Sequence, residues 1–376
     1  MEHTLFKAKL CEWIDLVDRW QPAPTDEAQV EHWAETALEL AYAYEFDEGE
    51  EESAIHAIVD AWTAAWLRDL GGSQAITSLT LAQMDALCSR EQVEQRTPAW
   101  YAQTASVVSA SELSTLFGPP RARAQLVMAK VNPPAPRTQT HACPTDRMGP
   151  FDWGIRFEPV VKQIYCHRYN AVIKELGRLT DLEYPRVTAS PDGLVYDGPR
   201  AGRLVEIKCP VTREPDGSVP ADYYMQMQLQ MRVTGADACD YIEVQFSSPY
   251  SKEITRIGPG MWAGEIALIY NTTSTEMRYE YGPIGGVVEP LLGEGEVLLE
   301  RIPWSVYSWH EQIVRRKADW WDGVKPVIDA FWEDVERARK GDFVVPESSR
   351  ARARGSAAAA ATACNIILQG GEEETS

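Results

Sequence analysis

The run Ser190–Pro210 constrains this chain more tightly than any other. It reads Ser-Pro-Asp-Gly, a short apolar strand, the turn residues Asp197-Gly198-Pro199, and then Leu204-Val-Glu-Ile-Lys-Cys-Pro210. The pattern predicts a hairpin with strands over 193–196 and 203–209. A strand alternates its side chains between two faces, so Glu206 and Lys208 share one face while Val205 and Ile207 turn the other way into a core. Charges within an apolar strand cost free energy unless they are paired or used. Asp192, in a Pro-Asp-Gly turn at the strand edge, adds a second carboxylate. Two carboxylates and an ammonium on one hairpin can hold a magnesium ion beside a group that orients or deprotonates water. Metal-assisted phosphodiester hydrolysis needs that combination. The competing reading is a surface hairpin with a Glu–Lys ion pair, because short motifs also match by chance.

The rest of the chain frames this hairpin. Thr97 caps a helix with Pro98 in its first turn, and Ser109-Ala-Ser-Glu112 starts a second, leading into Leu113, Leu116 and Phe117. Residues 131–150 hold five prolines and read as a loop. A helix around 157–170 has Phe157, Val160, Val161, Ile164 and Tyr165 on its apolar stripe. Pro159 fits only near the beginning of that helix, which puts Glu158 at its amino end. After the hairpin come a helix from Tyr223 to Val233 and a strand from Asp240 to Phe246. Residues 248–298 are expected to be an inserted excursion, and helices rich in Trp (304, 309, 320, 321, 332) are expected over 304–340.

Charge divides the 376-residue chain unevenly. The net charge is −20, yet residues 1–90 carry 18 acidic and 5 basic side chains while residues 91–178 carry 11 basic and 7 acidic. Residues 1–88 read as an acidic helical extension, with Trp33, Ala37, Leu40, Ala41 and Tyr44 on one helical face. An acidic extension beside a mildly basic region is compatible with nucleic acid held in a confined channel, and with little binding elsewhere. Residues 346–376 read as a low-complexity, disordered tail. Seven cysteines without a Cys-x-x-Cys pair argue against a disulfide framework and a zinc ribbon. The six histidines show no metal spacing, and no phosphate loop for ATP is present. No apolar run is long enough to span a bilayer, and the start lacks a secretory signal, so the expectation is an intracellular, non-secreted protein.

A series of motifs in fixed order sharpens the hairpin. Gln95-Arg-Thr-Pro-Ala-Trp100 and Val108-Ser-Ala-Ser-Glu112 precede Trp153-Gly154-x-x-x-Glu158-Pro159. Then follow Ser190-Pro-Asp-Gly193, Leu204-Val-Glu-Ile-Lys-Cys-Pro210, and Tyr223-x-x-Gln226-x-Gln228 running into Val233-Thr-Gly235. In this series the chain resembles the lambda-type exonucleases, the YqaJ-like viral recombinase family of PD-(D/E)xK nucleases. The resemblance does not cover the first 90 residues or 248–298. It implies an α/β fold, with a mixed central sheet flanked by helices in a domain over 89–345, behind the amino-terminal helical extension.

The resemblance also implies roles. Asp192 and Glu206 would bind the metal with the Ile207 carbonyl, and Glu158 would contribute through water or at a second metal site. Lys208 would hold or activate water, with its pKa lowered if it is partly buried. Gln226 would position the nucleophile or Lys208, with Tyr223 on the same helical face. Arg96, Trp100, Ser111, Arg121, Arg123 and Tyr223 are the candidates for DNA contact. Where the family carries an arginine for a terminal 5′-phosphate this chain has Thr104, with Arg121 and Arg123 nearby as replacements. Trp100 and Trp153, flanking site blocks, are the tryptophans to test against DNA. The expected activity is magnesium-dependent (manganese substituting) 5′→3′ digestion of duplex DNA from its ends, of use in viral recombination with a single-strand annealing partner. Part of the family forms trimers. An endonuclease or RNA-cutting enzyme with the same core, and a non-catalytic nucleic-acid-binding protein, are the alternatives.

Overall fold

The computed structural model describes residues 27–42, 56–64, 78–95, 97–133, 142–211, 213, 218–247 and 262–346. The acidic run 47–52, Arg96 and the tail 347–376 lie outside the described residues.

A mixed seven-stranded sheet organises the molecule. Its strands are β2 (Val172–Lys174), β5 (Gly193–Asp197), β6 (Leu204–Lys208), β7 (Ala238–Phe246), β8 (Ala263–Asn271), β9 (Met277–Tyr281) and β10 (Glu296–Arg315). They lie in the order β2-β5-β6-β7-β10-β8-β9. Among the described residues of this sheet, only β6 and β7 pair in parallel. A parallel pair needs a crossover, and here it is the helix α6 (Ala221–Thr234). A second, three-stranded sheet has β1 (Val108–Ser109) parallel to β4 (Val187–Ala189), which pairs with β3 (Leu179–Thr180). The other described helices are α1 (Glu27–Tyr42), α2 (Leu81–Cys88), α3 (Pro98–Thr104), α4 (Pro120–Val131), α5 (Pro150–Arg168) and α7 (Trp320–Arg339). Residues 56–64 are also helical. Thr97 caps α3 as expected, and Ala110–Phe117 forms a 3₁₀ helix closed by a Ser109–Glu112 capping box.

Each face of the sheet is covered. Val205, Ile207, Ile242 and Val244 pack against Phe157, Val160, Val161 and Ile164 of α5. Leu204, Leu194 and Tyr241 pack on the opposite side with Met227 and Met231 of α6 and with Ile328 and Phe331 of α7. Burial of such a side chain stabilises by about 1.5–3 kcal/mol. That energy explains the first correction. Pro159 lies inside α5, so Glu158 stands in mid-helix. An interior proline costs about 3 kcal/mol, and the buried stripe of Phe157, Val160, Val161 and Ile164, each at most 2% exposed, offsets it.

Two further expectations are corrected. The described part of 248–298 is not a looped excursion, for it supplies β8 and β9 to the central sheet. Trp304 and Trp309 lie on the strand β10, not on helices. Ile302, Trp304 and Val306 alternate inward on that strand, a period of two that marks a strand. At the amino end, Val30, Ala37, Val59 and Trp62 join the core that holds Trp153 and Phe157, and Trp33 stacks on Trp62 with ring centroids 6.1 Å apart.

Candidate active site

The hairpin β5–β6 presents the charged residues. Gly193 has to be glycine: a Cβ there would stand 2.3 Å from Cγ2 of Ile173 on β2. Asp192 immediately precedes this close approach of β5 to β2. Its Oδ2 accepts a hydrogen bond of 2.7 Å from the Ile207 backbone N–H, which ties the turn to β6.

Glu206 is 1% exposed and lies among three donors. Lys208 Nζ and Gln226 Nε2 donate to its Oε1 at 2.5 and 2.7 Å, and Gln230 Nε2 donates to its Oε2 at 2.6 Å. A buried carboxylate is tolerated only when its lone pairs are engaged in this way. Lys208 Nζ also donates to Gln226 Oε1 at 3.3 Å and lies 4.6 Å from the centroid of the Tyr223 ring. Burial alone would lower the Lys208 pKa, but Glu206 and Asp192 outweigh it and hold the ammonium above its ordinary value. This corrects the expectation of a lowered value. Asp192 is pushed well above the usual carboxylate range, first by burial and then by Glu206 and Glu158, against the pull of Lys208 and the Ile207 N–H.

Glu158 reaches the same place from α5. A cleft is lined by Glu158, Pro159, Lys162, Asp192, Pro191, Glu175 and the 94–95 and 176–177 segments. Lys162 Nζ stands 2.8 Å from Glu158 Oε1 and 3.1 Å from Glu175 Oε1. Pro159 removes the N–H that would have bonded the Ile155 carbonyl, and both residues line this cleft.

The donor set suits a divalent cation in its chemistry but not in its present placement. Among the described residues no three acidic, His or Cys side chains converge closely enough to hold an ion as they stand. The chemistry nonetheless fits a hard, oxygen-seeking ion: burial first, and then repulsion from Glu206 and Glu158, raises Asp192, and a cation would relieve that repulsion. Binding would require Glu158 to leave Lys162 and Glu206 to exchange at least one of its donors.

The sequence-derived candidates divide into two groups. Asp192, Glu206, Ile207, Lys208, Glu158, Gln226 and Tyr223 come together. Arg123 instead pairs with Asp334 of α7 and lies 5.7 Å from the Phe331 centroid, and Arg121 Nη1 donates to the Pro346 carbonyl at 3.2 Å. Ser111 is exposed, with its Oγ 3.3 Å from that of Ser109. Trp153 is 4% exposed and packs on Phe157, so it is a core residue. Trp100 is half-buried beneath Arg178, whose guanidinium carbon lies 4.0 Å from the ring centroid. Thr104 Oγ1 donates to the Trp100 carbonyl, and buried Lys130 donates to the Thr104 carbonyl.

Sequence reasoning missed Gln230. The motif drew attention to Gln228, but that residue sits two positions from Gln226 and points to the far side of the helix. Its Nε2 donates to the Arg315 carbonyl at 2.7 Å, and its Oε1 accepts from Lys317 N at 2.9 Å. The spacing of four from Gln226 was the available signal.

The chain is similar to several known proteins. Residues 99–237 match the YqaJ-like viral recombinase domain. An uncharacterized protein of Acanthamoeba polyphaga mimivirus is 24% identical over 200 residues, 48% of this chain and 35% of the relative. The chain thus spans about a third of that relative's length. Among solved structures, an alkaline exonuclease (LHK-Exo) from Laribacter hongkongensis is similar with a TM-score of 0.40 and 18% identity, over 65% of this chain and 95% of that one. A phage related exonuclease from Haemophilus somnus has a TM-score of 0.37 and 13% identity, over 62% of this chain and 96% of that one. The part of the chain that matches the YqaJ-like viral recombinase domain, residues 99–237, holds Glu158, Asp192, Glu206, Lys208, Gln226 and Gln230.

Proposed function

We propose that this chain is a metal-dependent nuclease that digests duplex DNA from its ends in the 5′→3′ direction, leaving a 3′ strand for an annealing protein. The domain match supports a nuclease. The observation that carries the reading is the buried Glu206, flanked by Asp192 and Lys208 and held by Gln226 and Gln230. A merely structural ion pair would not require two glutamines and a third carboxylate around it.

Asp192, Glu206 and the Ile207 carbonyl would hold the divalent cation, magnesium or manganese, with Glu158 at its side. When bound, that cation supplies charge neutralisation and Lewis-acid polarisation at the scissile phosphate. Lys208 Nζ, placed among acceptors, acts as a donor that holds the attacking water and offsets charge on the phosphate oxygens. Gln226 fixes Lys208 and Glu206 at once, so it orients both. Tyr223 covers the ammonium and limits its movement. The segment 89–345 forms the nuclease domain, and the helices before it are an extension.

The test is digestion of linear duplexes labelled at either end, with and without a 5′-phosphate, beside covalently closed circles, in magnesium. Linear DNA should lose its 5′ label first and circles should stay intact. Cut circles would replace end-dependent digestion with the endonuclease reading. Asp192→Asn and Lys208→Ala should each reduce digestion about a thousandfold. Undiminished digestion by either variant would remove the site.

A further inference from the structure

We propose that the chain has a second pocket, beside the carboxylate cleft, that binds a phosphate oxyanion between Arg90 and Arg178. This pocket is lined by Arg90, Glu91, Val93, Gln103, Arg178 and Thr180, with Leu182 at its rim. It shares a wall with the carboxylate cleft. Val93 N donates to the Arg178 carbonyl at 3.0 Å and Arg178 N donates to the Val93 carbonyl at 2.8 Å. Glu94, Gln95, Leu176 and Gly177, next to that bridge, line the cleft.

Both arginines are bound to carbonyls rather than to carboxylates. Arg178 is 3% exposed, and its Nη1 donates to the Trp100 carbonyl at 2.9 Å. Its Nε is buried with no acceptor among the described residues. Arg90 donates through Nη1 to the Val233 carbonyl at 2.8 Å and through Nη2 to the Thr180 carbonyl. The carboxylates that bear on this pair are committed elsewhere: Asp181 to Arg232 at 3.1 Å and Glu112 to Lys130 at 2.8 Å. Burial lowers the pKa of both groups, that of Arg178 to about 10, and Asp181 beside Arg90 and Glu112 beside Arg178 offset that cost only in part. Two guanidinium groups lining one pocket with their charge only partly offset can take an anion between them.

The remaining polar lining suits the same ligand. Gln103 Nε2 lies 3.3 Å from Thr180 Oγ1, and its Oε1 is buried without a donor. Turning the amide over keeps a hydrogen bond to Thr180, whose hydroxyl then donates, and places the NH₂ where the lone oxygen stood. Guanidinium forks and amide donors around a small pocket match a tetrahedral oxyanion. Assigning the phosphate to a nucleic acid rests on the nuclease reading; the oxyanion site itself does not.

The test uses the full chain in EDTA at fixed ionic strength. The thermal-unfolding midpoint is followed against inorganic phosphate, and it should rise and saturate. Arg90→Gln should raise the half-saturating concentration at least about fivefold. Glu91→Gln removes an exposed carboxylate from the lining and should lower it about twofold. Because Glu91 is on the surface, this variant decides the matter even if Arg90→Gln fails to fold. No saturable rise, or an unchanged half-saturation in Glu91→Gln, would overturn the pocket. Duplex affinity, measured by anisotropy in the same buffer, then identifies the source. Weakening by Arg90→Gln together with competition by phosphate assigns the site to nucleic acid. Unchanged duplex affinity with phosphate binding intact assigns it to free phosphate. Neither measurement needs catalysis, so a chain that failed to digest DNA would leave this result standing.

Discussion

Gln230 offers the sharpest test of how the site is held. Its side chain is fully buried, and its Nε2 donates to Oε2 of Glu206, itself 1% exposed, at 2.6 Å. A hydrogen bond to a charged partner contributes about 1.5–3 kcal/mol, and a buried carboxylate oxygen left without a donor bears the desolvation cost in full. Gln230→Ala should therefore destabilise the protein by about 2–4 kcal/mol, once the lost packing of the side chain is included. The pairwise part is isolated by a double-mutant cycle with Glu206→Ala, read from urea unfolding midpoints with the slopes checked for constancy. A coupling of about 1.5–3 kcal/mol, or roughly a 10- to 150-fold change in the unfolding constant, is expected. Coupling below about 0.5 kcal/mol would refute the view that Glu206 is held in place by Gln230.

Two predictions concern the frame around the site. Arg200 bridges Asp240 on β7 (3.2 Å) and Glu311 on β10, with Tyr165 and Tyr169 donating to the same two carboxylates at 2.6 Å each. Arg200→Met should destabilise by about 3–5 kcal/mol, because it leaves buried carboxylate charge under-compensated; a shift in the urea midpoint worth less than about 1 kcal/mol would count against this. Tyr279→Phe deletes the hydroxyl that accepts from Arg156 Nε at 3.1 Å and from Cys143 N at 3.0 Å. It should cost about 1–3 kcal/mol and quicken hydrogen exchange over residues 142–147, and unchanged exchange there would show that β9 does not latch this segment to α5.

The legible parts of the chain were those where period and chemistry agreed. Leu204–Lys208 alternates cleanly, so the strand, its two faces and the carboxylate–lysine face could all be read from it. The helix carrying Gln226 was equally plain from its length and apolar content. Pro159 misled because a local rule about proline competes with tertiary packing, and in α5 packing wins. Trp304 and Trp309 misled because aromatic residues suit helices and strands alike, and the register shift between Val306 and Ser308 breaks the alternation where it should have been read. Gln230 was hidden by a motif of spacing two, although contacts from a helix face recur at three and four. The pairing of Arg123 with Asp334, 211 residues later, leaves no local mark in the sequence.

The strand β10 carries a consequence for how the protein is made. Its residues 306–315 pair with β7, and residues 296–305 pair with β8. Every residue of β7 is buried in the finished sheet. Yet during synthesis the strand that covers its outer edge emerges roughly 70 residues later, an interval of about 4–14 s at ordinary elongation rates. Over that time β7 is an open, apolar edge, the kind of surface on which unrelated strands pair. The nascent chain is then at its most aggregation-prone after residue 246, and rare codons or a stall between β7 and β10 should lower the yield of folded protein more than the same delay placed after residue 315.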